Sequence, residues 1–292
     1  MISIVGNGAI GNLIALACER QHCTYQMVTR SAQPIQIHCQ ENQQRHTLQP
    51  DYLQASEMIN SGIVILPLKA YQILPAIEQL KGRLATKIPV ILLHNGLGTY
   101  EYVLELLPEN PIMIATTSYA AFKPDQGALM VTGKGQTQAG WVRDSANNPH
   151  FQTQFEKLLP PCSWHTDIQQ VLWNKLLINA VINPLTTLNN IRNGQLAEPQ
   201  YTQHIEGIVH EVVQVMQALG LTANHQQRLQ HCYQVIQHTA QNYSSMHQDL
   251  LHKRPSEIDF INGYVVQQAR RLDIPVPYNQ TLLQQVKKME AN

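Results

Sequence analysis

The chain has 292 residues, of which 43% are hydrophobic and only 14% charged, and its formal net charge is +0. Without a global field, electrostatic capture of nucleic acid or of an acidic membrane is excluded, which leaves a small molecule or a protein as partner. The five cysteines are odd in number and include no CxxC pair, which argues against a disulfide framework or zinc site and fits reduced thiols in the cytoplasm. The 13 histidines are scattered without a ligand motif, so no metal is expected. The first residues form an apolar run without a charged leader, so no signal peptide is expected, and no apolar run approaches the ~20 residues that span a bilayer.

Ile2 to Val5 reads as a buried strand, and Gly6-Asn7-Gly8-Ala9-Ile10-Gly11 follows it at once. A helix pattern then runs from about Ile10 to Arg20. In this strand–loop–helix setting Gly6 permits a tight turn, Gly8 lets backbone approach a pyrophosphate, and Gly11 lets helix and strand pack closely. The helix amino end offers N–H groups and partial positive charge to phosphates. Thr24 to Val28 is the second strand. It ends on Arg30 with no acid to hold a ribose 2′-hydroxyl, so Arg30 suits a 2′-phosphate and NADPH rather than NADH. The alternative for Arg30 is a solvated surface arginine.

Gln33 to Glu57 is polar and holds a strand or two and a loop. Gly62 to Leu66 is a buried strand, and Lys69 lies just beyond its carboxyl end, where open α/β sheets bind ligands. Residues 70 to 80 are helical. Pro89 to Leu93 is the next strand, followed by the loop His94 to Gly98, in which Asn95 offers both a donor and an acceptor or else holds the turn. Ile112 to Ala115 makes a further strand. Ala128 to Thr132 and Thr137 to Val142 read as an edge hairpin, Pro149 to Leu159 as a helix, and Cys162 to His165 as a short last strand.

From Asp167 helical periodicity takes over. The first helix is expected to end near Asn183, because Pro184 disfavours helix in the residue before it. Gln200 to Leu219 is amphipathic and stops at Gly220, and Asn224 to Tyr243 follows. Ser245-Met-His-Gln248 matches a capping box, and Pro255 to Asp259 reads as a helix start in which Glu257 is a favourable acid. Tyr278 to Met289 is the last helix. The fold class is thus an α/β Rossmann domain, residues 1–166, followed by an all-α domain, residues 167–292. The expected hinge is Thr166 to Ile168, and the active-site cleft is expected between the domains.

The chemistry concentrates in the first of these helices. Leu172 to Leu185 is almost wholly apolar, yet Lys175, Asn179 and Asn183 recur at i, i+4 and i+8 and form one polar stripe. Burying an ammonium and two amides is costly unless each has a partner, in the protein or in a substrate. A ketone accepting hydride develops negative charge on oxygen, and Lys175 can answer it as both proton donor and cation. The two asparagines can hold the rest of a polar substrate.

These motifs in this order resemble the 2-dehydropantoate 2-reductase (ketopantoate reductase) family over essentially the whole length. They are Gly6-Asn-Gly-Ala-Ile-Gly11, Leu68-Lys-Ala-Tyr71, His94-Asn-Gly-Leu-Gly98, Trp173-Asn-Lys175 through Asn179 to Val181-Ile-Asn-Pro-Leu-Thr186, Ser244-Ser-Met246 and Glu257-Ile-Asp-Phe-Ile-Asn-Gly263. The resemblance implies reduction of 2-dehydropantoate by NADPH to (R)-pantoate, toward pantothenate and coenzyme A. It implies Lys175 as the catalytic proton donor, and Asn95, Asn179, Asn183, Asn193 and Ser245 as substrate contacts. It implies cofactor contacts at Gly6, Asn7, Gly8, Ala9, Ile10, Gly11, Arg30, Lys69, Asn95, Ala121 and Glu257, in a cytoplasmic monomer or homodimer. Asn174 departs from the family where a basic residue is often seen. The alternatives are a reductase of another 2-oxo acid with the same architecture, and a non-catalytic NADPH-sensing module, which has no need of Lys175.

Overall fold

A computed structural model describes residues 1–30, 36–41, 44–58, 62–123, 128–143 and 149–291. The polar stretch read from Gln33 therefore begins outside the described residues. The chain forms two compact units, Met1–His94 with Thr99–Ile168, and Asn95–Gly98 with Gln169–Asn292.

The first unit runs β1 (Ile2–Val5), α1 (Ala9–Arg20), β2 (Tyr25–Val28), β3 (Ile37–Glu41), β4 (Gln44–Leu48), β5 (Asp51–Leu53), β6 (Ile63–Leu66), α2 (Ala70–Leu80), β7 (Val90–Leu93), α3 (Tyr100–Leu106), β8 (Ile112–Thr117), β9 (Ala120–Phe122), β10 (Leu129–Gly133), β11 (Thr137–Arg143), α4 (Pro149–Glu156) and β12 (Cys162–Trp164). Eight strands form a sheet in the order β12-β11-β8-β7-β6-β1-β2-β5, parallel except where β11 meets β8. The central strands are buried and mostly apolar because both faces are covered, and the buried Gln26 of β2 donates from Nε2 to Ser3 Oγ of β1 at 2.7 Å. Ile2, Ile4, Ile65, Ile91 and Met113 face one apolar layer, shared with Ile14 and Leu16 of α1. Their neighbours Val5, Val64, Leu66, Val90 and Leu92 face the other, shared with Ile73 and Ile77 of α2 and Val103 of α3. The direction of winding reverses between β1 and β6. Parallel register sets Val5 beside Val28, and Ile4 beside Ile65. Gly6, Thr29 and Pro67 therefore leave the sheet along one edge, at the switch point where such folds bind ligands.

The second sheet, in the order β4-β3-β10-β9, corrects the hairpin expected from Ala128 to Val142. β10 pairs with β9 and β3, while β11 pairs with β8 and β12. The turn between β10 and β11 carries the chain from one sheet to the other. A Cβ at Gly135 would lie 2.3 Å from the Ser118 carbonyl carbon, so only glycine lets the turn pack this closely on the β8–β9 connection. This sheet packs on α1, which is why Gly11–Leu16 is buried without a break.

The second unit contains α5 (Ile168–Asn189, beginning at the unit boundary), α6 (Thr202–Ala218), α7 (His225–His238), α8 (Ser245–Leu251), α9 (Asn262–Arg271) and α10 (Pro277–Glu290). Helix α5 does not end at Pro184 but passes through it. Proline removes the N–H that would serve the Ala180 carbonyl one turn back. Asn262 Nδ2 donates to that carbonyl instead, at 3.0 Å, and thereby lifts much of the penalty. Asn262 also bonds Asn279 Oδ1, at 2.9 Å. Buried Glu211 of α6 accepts from the Tyr278 and Asn279 N–H groups at 2.7 and 2.9 Å, which satisfies the amino end of α10.

Two further expectations change. The capping residue of α8 is Ser244, whose Oγ accepts from the His247 N–H at 3.2 Å; Ser245 is the first helical residue and is exposed. Pro255 to Asp259 does not open an α-helix. A 3₁₀ turn at Ile258–Phe260 is followed by Ile261 at φ −109°, ψ −93°, and α9 begins only after it. Among the described residues no helix is long and apolar enough to cross a membrane, and no group of three or more His, Cys, Asp or Glu can hold a metal ion.

Candidate active site

In the first unit the glycine loop has the form a dinucleotide phosphate requires. Gly6 sits at φ +97°, and its N–H donates to the Val28 carbonyl at 2.7 Å, which ties the loop to the end of β2. A Cβ at Gly11 would come within 2.9 Å of the Gly6 carbonyl oxygen, so only glycine lets α1 start this close to β1. Gly8 is the N-cap of α1 and is exposed; a Cβ there would meet nothing nearer than the Pro67 carbonyl oxygen, at 3.9 Å. The first turn of α1 carries no acid, so nothing on the helix competes with a ligand phosphate for its N–H groups. These features fit a dinucleotide.

Around this loop, Asn7, Ala9 and Ile10 are half-buried, and Arg30 is exposed two residues beyond β2. Lys69 is half-buried at the N-cap of α2, with its N–H donating to Gln72 Oε1 at 3.2 Å. Ala121 lies in β9, opposite Val131. One residue escaped the sequence reading. Lys123, just past β9, donates from Nζ to Asn7 Oδ1 at 3.4 Å. Its position depends on a strand pairing in the second sheet, for which the local sequence carries no signal.

In the second unit α5 presents its stripe as anticipated from the spacing. Between Leu172 and Thr187 every residue is buried except Asn174, Lys175 and Asn179, which keep partial access to solvent. Asn183, deeper along the same line, is 6% exposed. Asn174 accepts from Gln170 Nε2 at 3.0 Å. The side-chain amides of Asn179 and Asn183 make no hydrogen bond among the described residues. Burial pulls the Lys175 ammonium down from 10.5 to about 8, and the nearby Glu257 carboxylate opposes that shift. Glu257 is itself 4% exposed; it stands at the N-cap position of the 3₁₀ turn, where its side chain makes no capping hydrogen bond.

The loop carrying Asn95 belongs to this unit. Gly96 and Gly98 have φ of +78° and +96°, and a Cβ on them would strike the Phe260 carbonyl at 2.5 Å and the Tyr264 ring at 2.8 Å. Leu97 N–H donates to the Phe260 carbonyl at 2.8 Å. Tyr264 in turn packs on Trp173, with ring centroids 5.6 Å apart. The two glycines thus seat Asn95 against the turn after Glu257 and the start of the stripe. At the other end of α5, Thr186 Oγ1 donates to Ser244 Oγ at 2.8 Å and holds the start of α8, with Ser245, close to the last turns of the helix. Asn193 donates its N–H to the carbonyl of Asn242, just ahead of α8, at 2.9 Å. Its Nδ2 bonds Thr239 Oγ1 at 2.9 Å, while its Oδ1 is buried with no partner among the described residues. Such an acceptor costs about 1–3 kcal/mol unless something donates to it.

The second unit therefore assembles an amine of lowered basicity, a carboxylate and a set of amides and a hydroxyl, which suits proton transfer to a small polar molecule. Comparison with known proteins agrees with this chemistry. The family described as "Ketopantoate reductase PanE/ApbA" matches residues 2–144, and "Ketopantoate reductase PanE/ApbA C terminal" matches residues 167–290. The 2-dehydropantoate 2-reductase of Vibrio cholerae is 37% identical, over 100% of this chain and 98% of its own. Two solved structures share the fold at low identity. A ternary D-mandelate dehydrogenase, with NADH and anilino(oxo)acetate, has a TM-score of 0.91 at 20% identity, covering 100% of this chain and 98% of its own. A PanE/ApbA family ketopantoate reductase from Ralstonia eutropha has a TM-score of 0.90 at 21% identity, covering 100% and 99%. Motif order, site chemistry and full-length similarity agree, and the chain is an oxidoreductase that belongs to the ketopantoate reductase family.

Proposed function

We propose that this protein reduces 2-dehydropantoate to (R)-pantoate with NADPH, in the cytoplasm, as a step toward pantothenate and coenzyme A. Residues 1–166 form the NADP-binding domain and residues 167–292 the substrate-binding domain. The observation that carries the reading is the α5 stripe, a lysine near pKa 8 with two unbonded amides on the accessible line of a buried helix. Bound NADPH supplies the hydride for the ketone carbon. Lys175 supplies the proton for the ketone oxygen and stabilises its growing charge beforehand. Glu257 keeps the amine protonated near neutrality against the pull of burial, and as a family cofactor contact it also meets NADPH. Asn179 and Asn183 offer donors and acceptors to the substrate carboxylate and hydroxyl. The buried Asn193 Oδ1 accepts from a hydroxyl, and Ser245, relieved of capping by Ser244, is available to the substrate. Asn95 serves substrate and cofactor together. The loop from Gly6 through Asn7, Gly8, Ala9 and Ile10 to Gly11 holds the pyrophosphate, Arg30 the 2′-phosphate, and Lys69 and Ala121 the remainder.

The test is steady-state NADPH oxidation with 2-dehydropantoate beside a panel of other 2-oxo acids. A clear kcat/KM advantage for 2-dehydropantoate is expected, and parity with pyruvate-sized acids overturns the substrate. Arg30→Ala should raise KM for NADPH far more than for NADH; equal effects remove Arg30 from the 2′-phosphate.

A further inference from the structure

Lys123 belongs to no motif in the chain, and its placement calls for an anion. It follows β9, the edge strand of the small sheet that packs on α1. The antiparallel pairing of β9 with β10 sets Phe122 opposite Met130 and brings the next residue back over the glycine loop. There Nζ meets Asn7 Oδ1 at 3.4 Å. Asn7 is the second residue of the loop, and Gly8 beside it caps α1.

Two positive features therefore converge on one short segment, an ammonium and the amino end of a twelve-residue helix whose first turn has no acid. They repel one another unless an anion lies between them. Among the described residues no carboxylate pairs with Lys123, and a neutral amide oxygen at 3.4 Å is a weak substitute for water. The amine is half-buried, and desolvation pulls it below its ordinary range, opposed by Cys39. A negative group at the loop removes both penalties together.

We infer that Lys123 is a further cofactor-binding residue, whose ammonium pairs with a pyrophosphate oxygen of the dinucleotide at the glycine loop. The inference rests on the dinucleotide reading given above. It separates the work of two cations in the first unit. Arg30 leaves the sheet at the end of β2 and is assigned to the 2′-phosphate that distinguishes NADPH. Lys123 stands at the loop itself and meets the part of the molecule common to NADPH and NADH. Asn7 then serves as the resting partner that holds the flexible side chain in place before the phosphate arrives.

The experiment is fluorescence titration of the full-length protein with NADPH and with NADH, for wild type, Lys123→Met, Lys123→Arg and Arg30→Ala. Loss of one charge-assisted contact predicts that Lys123→Met raises both Kd values about tenfold, by the same factor. Lys123→Arg keeps the charge and should stay within about threefold of wild type. Arg30→Ala should affect NADPH selectively. A Lys123→Met loss confined to NADPH overturns the pyrophosphate assignment. Unchanged affinity for both cofactors overturns the inference and leaves the dinucleotide reading standing. Wild-type protein that binds neither dinucleotide overturns both. Equal losses in the Met and Arg variants, accompanied by a lowered Tm, make Lys123 a structural residue and also overturn the inference.

Discussion

The glycine loop and the α5 stripe are built from opposite materials. The loop offers backbone, and its specificity comes from side chains that are missing at Gly6, Gly8 and Gly11. The stripe offers side chains, displayed on a helix that is otherwise buried from Leu172 to Thr187. Backbone recognition suits a ligand part with fixed charge, because N–H groups neither titrate nor change length. Side-chain recognition suits a reacting part, because an amine can give up a proton and amides can be exchanged to select a substrate. The two regions should therefore fail differently when altered, one in cofactor affinity and the other in turnover.

The largest expected effect is at the reacting end. Lys175→Ala should lower kcat by ~10²–10⁴-fold, the usual contribution of a positioned general acid. NADPH affinity, measured by fluorescence, should change less than about threefold, since the loop is untouched. Retention of full turnover removes Lys175 from the chemistry, and a matching loss of NADPH affinity breaks the contrast between the regions.

The titration of Lys175 gives the next effect. With its pKa drawn to about 8, the amine is protonated below that value and can act as proton donor. For reduction, kcat/KM should be level below pH 8 and fall about tenfold per pH unit above it. Oxidation in the reverse direction needs the neutral amine and should rise through the same range. Glu257 raises the pKa, so Glu257→Gln should move the alkaline limb to lower pH. A limb that stays in place would mean that the carboxylate does not act on the amine.

At the backbone end two glycine substitutions separate space for ligand from space for packing. Gly8→Ala places a methyl where nothing lies within 3.4 Å. It should leave Tm nearly unchanged while weakening NADPH about tenfold, the equivalent of one lost phosphate contact. Gly11→Ala pushes a methyl against the Gly6 carbonyl oxygen at 2.9 Å and should cost ~1–3 kcal/mol of stability. The pair is checked by thermal melts beside cofactor titrations; a Gly8→Ala protein that binds normally would move the phosphate elsewhere.

Legibility in the sequence follows the range of the interactions involved. The Gly6–Gly11 loop and the Lys175–Asn179–Asn183 spacing are local, and both were readable from residue types and period. The continuation of α5 through Pro184 was not, because the donor that replaces the missing N–H is Asn262, far along the chain. The switch of sheets between β10 and β11 depends on pairing with β3 and β8, which alternation alone does not encode. Asn95 was legible as a loop residue after a strand. Its seating against Phe260 and Tyr264 was not, because two glycines at positive φ admit the approach. Lys123 lacked a signal altogether, since a small sheet and not a motif brings it to Asn7.

The smallest effect tests a division between neighbours. Ser244 and Ser245 look interchangeable as helix-start residues, yet only Ser244 accepts the His247 N–H and the Thr186 hydroxyl. Ser244→Ala should lose a cap and a buried acceptor and cost ~1 kcal/mol or somewhat more, read as a fall in Tm. Ser245 is exposed at the first helical position, so Ser245→Ala should leave Tm close to wild type. If Ser245 meets the substrate, KM for 2-dehydropantoate should rise about fivefold to tenfold, the worth of one neutral hydrogen bond, while KM for NADPH stays put. The reverse assignment, stability lost at Ser245 and KM altered at Ser244, would return the cap to the position that the Ser-x-x-Gln pattern first suggested. It would also take Ser245 out of the set that the α5 asparagines are proposed to complete.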